Sequence, residues 1–133
     1  MKSENWIDVN DGKMGSAEYF GLLVKDFPMI RKKIEKENSD KTHIRMKCFA
    51  DYTSEQIKSS NYKELKKCFA FQESKIDLIN SDLENAIIVS YCESMLLGDV
   101  ANQMDKIIDL MPNKLKKKYV DYEVYYNLSA NFS

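Results

Sequence analysis

The residues best suited to nucleophilic or metal chemistry in this 133-residue chain are one imidazole, His43, and three thiols, Cys48, Cys68 and Cys92. There is no CxxC pair for zinc, and one histidine cannot complete a His-based metal site. His43 sits between Thr42 and Ile44 with no matched nucleophile, which argues against a general base. The cysteines are odd in number and widely spaced, and each lies in an apolar helical context. They read as reduced, buried thiols and not as a disulfide framework. Glu73 and Asp77 fall one turn apart on a helical pattern, a spacing that can pair carboxylates for acid–base work. A glycosidase or di-metal site needs partners that the sequence does not supply. There is no GxGxxG, no Walker loop and no GxSxG elbow. The expectation is a protein that is not an enzyme, with no catalytic residue, no cofactor and no metal.

The elements that would hold these residues are helical. Four glycines and two prolines punctuate the chain, which favours long helices over many short strands. The stretch 81–99 carries Leu83, Ala86, Ile87, Ile88, Val89, Tyr91, Cys92, Met95, Leu96 and Leu97 around the whole helical wheel. With Glu84, Asn85, Ser90, Glu93 and Ser94 inside it, it is too short and too polar to span a membrane. It predicts a buried central helix over 82–97, capped by Ser81 or Asp82 and stopped by Gly98 in the left-handed region. Asn85, Ser90 and Glu93 either tie this helix to its neighbours or line a groove, and the tying role is the stronger expectation.

Residues 42–59 are ambiguous, because Ile44, Met46, Cys48 and Ala50 alternate as a strand would. Met46, Phe49, Ala50, Thr53 and Ile57 keep helical spacing over the longer window, and length decides for helix. Around these lie a helix at 17–26 capped by Ser16, one opened by Pro28, and one at 62–79 entered through Ser59, Ser60 and Asn61. An amphipathic helix at 100–110 and a last helix after Pro112 complete the set. Residues 1–15 read as an irregular arm that Trp6 and Ile7 tack to the body. The predicted fold is a single all-α domain over 1–133, a bundle of about six or seven helices.

Composition bounds the partners. A net charge of −1 offers no global field for nucleic acid or membrane. The first residues lack an apolar signal core, so a cytoplasmic location is expected. Charge is nevertheless uneven. Residues 68–113 hold two lysines against eight carboxylates, a balance of −6, while 1–67 carry +3 and 114–133 carry +2.

The ordered segments MKCFADYTSEQI, ELKKCFAFQESKI, LENAIIVSYCESML and LMPNKLKKKY resemble a bacterial family of small helical proteins. The shared elements fall at 69–73, at 85–96, where Glu93 is the glutamate of the motif, and at 110–116. Several proteins of this kind look like immunity proteins paired with bacterial toxins, including those of contact-dependent growth inhibition. The resemblance implies a cytoplasmic, non-catalytic protein that binds a cognate toxin domain, a basic nuclease being the expected one, and covers its active or substrate-binding site. Added to the acidic balance, it nominates Asp77, Asp82, Glu84, Asp105 and Asp109 as toxin-binding carboxylates, with Tyr122 and Tyr126 as aromatic anchors. The alternative is a non-catalytic regulatory or scaffold domain that binds another protein.

Overall fold

The computed structural model describes residues 12–131, so the Trp6 and Ile7 part of the predicted arm lies outside the described residues. Helix α1 (Ser16–Asp26) is followed by a 3-10 turn at Pro28–Ile30, α2 (Arg31–Lys36), α3 (Thr42–Lys58) and α4 (Tyr62–Lys75). The central helix runs without a break through α5 (Ser81–Ala86), a π-helical stretch (Ile87–Cys92) and α6 (Glu93–Leu97). Short α7 (Met104–Ile107), flanked by 3-10 turns, leads to α8 (Asn113–Asn131). Among the described residues there is no strand, and the domain is an all-α bundle. No helix among them is long and apolar enough to cross a membrane.

The ambiguous segment is the helix α3, and its helical stripe is the face it buries. Met46, Phe49, Ala50, Thr53 and Ile57 are all shielded from solvent, whereas Ile44, on the strand-like alternation, is 47% exposed. This stripe meets Ile87, Tyr91 and Met95 of the central helix in one core with Tyr19, Phe20, Phe27, Phe69 and Phe71. Aromatic contacts fill its centre, Phe49 lying 5.2 Å from Tyr91 in a tilted pair and 5.8 Å from Phe71 edge to face, between ring centroids.

Two buried polar chains lock the bundle. The hydroxyl of Tyr19 donates to Gln72 Oε1 at 2.6 Å, and Gln72 Nε2 donates to Met46 Sδ at 3.5 Å. Thr53 Oγ1 lies 2.9 Å from the Phe49 carbonyl and 2.7 Å from the Tyr91 hydroxyl. The one threonine proton goes to the carbonyl, so Tyr91 donates to Thr53 and all three groups are satisfied.

Several helix ends differ from expectation. Gly15, not Ser16, precedes α1, and Asn80 caps α5, its side chain accepting from Leu83 N–H. Asn61 caps α4 after Ser60 has turned through a positive φ of 56°. The helix predicted over 62–79 ends at Lys75, because Met14 pairs with the following turn through Met14 N–H to Leu78 O and Asn80 N–H to Met14 O. Gly98 is extended, with φ −91° and ψ −161°, and is not left-handed. A glycine is needed there for a different reason: a Cβ would stand 2.3 Å from the Ser94 carbonyl oxygen.

The central helix is buried along one side, not all round. Ile87 is fully buried, while Val89 and Leu96 are half-buried. Ile87→Ala is therefore expected to cost about 2–4 kcal/mol and Val89→Ala well under that, since only the first leaves a closed cavity. Urea unfolding of the two variants measures the difference, and equal losses would show that both faces are packed alike.

Candidate functional site

Helix α8 gathers most of the residues that the charge pattern singled out. Its entry is built by a side chain from another helix. The Glu73 carboxylate accepts from the backbone N–H of Lys114 at 3.1 Å and of Leu115 at 2.8 Å. It thus satisfies two orphan donors where the helix dipole is positive. Glu73 and Asp77 consequently do not share a helix face as expected: Asp77 lies beyond the end of α4 and forms an ion pair with Lys114.

Other carboxylates flank the same helix. Lys116 reaches Asp109 at 3.5 Å, and Lys118 reaches Glu84 at 3.7 Å. Asp105 is exposed and contributes to the electrostatic surroundings of Tyr119. Asp82 is exposed and joins no ion pair among the described residues. The acidic segment is therefore partly neutralised by α8 lysines, a compensation invisible when charge is summed along the chain. Such exposed pairs each contribute little to stability.

The tyrosines divide by position. Tyr119 is buried, and Tyr122 is half-buried and donates to Glu93 Oε2 at 3.1 Å. Burial and the Glu93 contact both push the Tyr122 phenol up from its ordinary value. Glu93 thus ties the central helix to α8, as Ser90 ties it to α3 through a 3.0 Å contact with His43 Nδ1. Asn85 is exposed, contrary to the tying role expected of it. Beyond Glu123 every residue from Val124 to Ser129 is exposed, including Val124, Tyr125, Tyr126 and Leu128. Among the described residues these turns of α8 therefore present an exposed, largely apolar tip.

An open groove of about 900 Å³ runs between α3 and the central helix. Ile44, Val89 and Leu97 form apolar parts of its lining, and Lys33, Lys47, Asp51 and Glu55 also line it. The His43–Ser90 contact lies near one end and the Lys58–Asp99 ion pair, at 3.1 Å, near the other. One wall is the π-helical stretch, which sequence periodicity missed. Its widened turns have no compositional signature, and such stretches recur at functional positions.

Two of the three thiols, Cys68 and Cys92, are buried, and Cys48 is half-buried. Burial pushes Cys68 and Cys92 up to about 12 and raises Cys48 as well. No cluster of His, Cys, Asp or Glu able to hold a metal ion occurs among the described residues.

The family described as Domain of unknown function (DUF7674) matches residues 20–127, which spans α1 to the α8 tip. Neither the curated proteins nor the solved structures contain a match to the chain.

Two outcomes test the α8 entry. Glu73→Ala should lower stability by about 1 kcal/mol, the usual cost of a lost helix cap. The Lys114 ammonium holds the Asp77 carboxyl below its ordinary value. Its contribution is therefore present above the unfolded carboxyl pKa and is lost as pH falls through the lower folded value. Asp77→Asn should flatten the acid limb of melting temperature against pH, and an unchanged limb would remove the pair from that account.

Proposed function

The chain belongs to the DUF7674 family, and we propose that this member is a non-catalytic protein-binding domain acting as a cytoplasmic immunity protein that neutralises a bacterial toxin. One observation carries the binding surface. Asp77, Glu84, Asp105 and Asp109 flank a single helix, α8, which continues into exposed tyrosines. Steering charge and aromatic anchors side by side are what a fast, tight protein contact requires. The toxin as partner rests on the resemblance carried by residues 69–73, 85–96 and 110–116.

The lysine pairing refines the expected mechanism. A basic toxin side chain must compete with Lys114, Lys116 or Lys118 for its carboxylate, whereas Asp82 and Asp105 are open to it. Anchoring through Tyr126 and its neighbours then contributes more than the net acidity of residues 68–113.

Co-expression tests the proposal, using the toxin domain encoded beside this chain. Toxin alone should arrest growth, and toxin with the wild-type protein should not. Protection should weaken with Tyr126→Ala and with the double reversal Asp82→Lys, Asp105→Lys, while the melting temperature of each variant stays near wild type. Absence of rescue by the wild-type protein would overturn the immunity reading in favour of a regulatory or scaffold domain. Rescue that survives every α8 variant would move the binding face elsewhere.

A further inference from the structure

Residues 12–15 form a short strap across the turn between α4 and the central helix. The Met14 N–H donates to the Leu78 carbonyl at 2.7 Å, and the Asn80 N–H donates to the Met14 carbonyl at 2.9 Å. The Lys13 ammonium donates to the Asp77 carbonyl at 2.9 Å. Asp77, Leu78 and Asn80 are thus all bonded to Lys13 or Met14. Two of these partners also start other helices. The Asp77 carboxylate meets Lys114 of α8, beside the Glu73 cap. Asn80 accepts from the Leu83 N–H and opens the central helix. Lys114 and, after it, Lys13 hold the Asp77 carboxyl below its ordinary value, so α8 and the strap act on one side chain.

The strap itself is lightly seated. Gly12 and Lys13 are exposed, and half-buried Met14 supplies its apolar contact with the core. An open cavity of about 330 Å³ lies among Gly12, Met14, Glu18 and Leu78, and Leu78 is 52% exposed. A segment with few buried apolar contacts opens locally at low cost. The chain behind it is held separately. Thr42 Oγ1 donates to Ser16 Oγ at 3.3 Å, Ser16 Oγ donates to the Ser39 carbonyl at 3.5 Å, and Tyr19 and Phe20 are buried. Opening at Gly15 therefore leaves α1 in the core.

We infer that Lys13 and Met14 are a latch. Closed, they hold the turn at 76–80 and, through Asp77 and Asn80, seat the starts of α8 and of the central helix; open, they loosen both. The latch is a property of the free chain. That it sets how firmly α8 is presented to a partner rests on the reading of α8 as the binding face.

Amide hydrogen exchange on the purified full chain, followed residue by residue by NMR, tests it. Met14→Pro removes the N–H that Leu78 accepts, and should speed exchange at Leu83, Lys114 and Leu115 about tenfold, the scale of one lost hydrogen bond. Exchange at Phe49, within α3, should stay at the wild-type rate. Met14→Ala keeps both backbone bonds and should speed the same amides much less. Lys13→Ala, a milder change at an exposed position, should speed them about threefold and decides the matter if Met14→Pro does not fold. Unchanged rates at Lys114 and Leu115 in Lys13→Ala, or in a folded Met14→Pro, overturn the inference. So does equal acceleration by Met14→Ala and Met14→Pro, which would reduce the strap to a packing contact. Acceleration that extends to Phe49 overturns it as well, since the strap would then belong to the global core. No toxin enters these measurements, so their failure leaves the immunity reading standing, and failure of growth rescue leaves the latch.

Discussion

The contact between α3 and the central helix is the constraint on which the bundle turns. Tyr91 is fully buried there, and burial pushes its phenol well above the ordinary value, so it serves as a neutral donor. Its hydroxyl has one outlet, Thr53, which passes its own proton to the Phe49 carbonyl. An unbonded hydroxyl in that position would cost about 1–3 kcal/mol. The bond therefore joins the buried face of α3 to the π-helical stretch in one register, within the apolar core that Phe49, Ile87 and Met95 share. With that register set, Ile87, Tyr91, Cys92 and Met95 point inward while Val89, Ser90 and Glu93 turn toward the groove side.

The other helices arrange themselves around this pair by satisfying what it leaves open. Tyr19 of α1 and Gln72 of α4 complete a second buried polar chain that ends on Met46 of α3. Asn80 starts the central helix and Glu73 starts α8, so two helix entries depend on side chains from the α4 side of the fold. Leu115 and Tyr119 then bury one side of the first turns of α8, and its lysines meet carboxylates from three separate stretches. From Val124 to Ser129 the described residues of α8 are exposed, so the helix is packed at its start and open to solvent toward its end.

The imidazole and the buried thiols are engaged in packing and in contacts between helices. Cys68 and Cys92 are packing groups whose thiols burial holds protonated. His43 is half-buried against Ser90 and fastens α3 to the central helix. The described surface carries the mixed-charge flank of α8 with its exposed tyrosines and, between α3 and the central helix, an open groove.

The sequence by itself determined the helices and their inward faces. Each amphipathic period records which side of a helix must leave water, and the stripe Met46, Phe49, Ala50, Thr53, Ile57 was readable before any packing was known. Asn61 as the α4 cap was equally local, since a cap bonds its own first turn. The Glu73 cap was not, because its carboxylate and the N–H groups it accepts are about forty residues apart in the chain. Summed charge misjudged the middle segment for the same reason: Lys114, Lys116 and Lys118 neutralise it across space. The π-helical stretch, the extended Gly98 and the bare α8 tip were also decided by tertiary structure. Local pattern reports what a segment prefers to bury; only packing settles which groups are near enough to meet that preference, and which are left facing water.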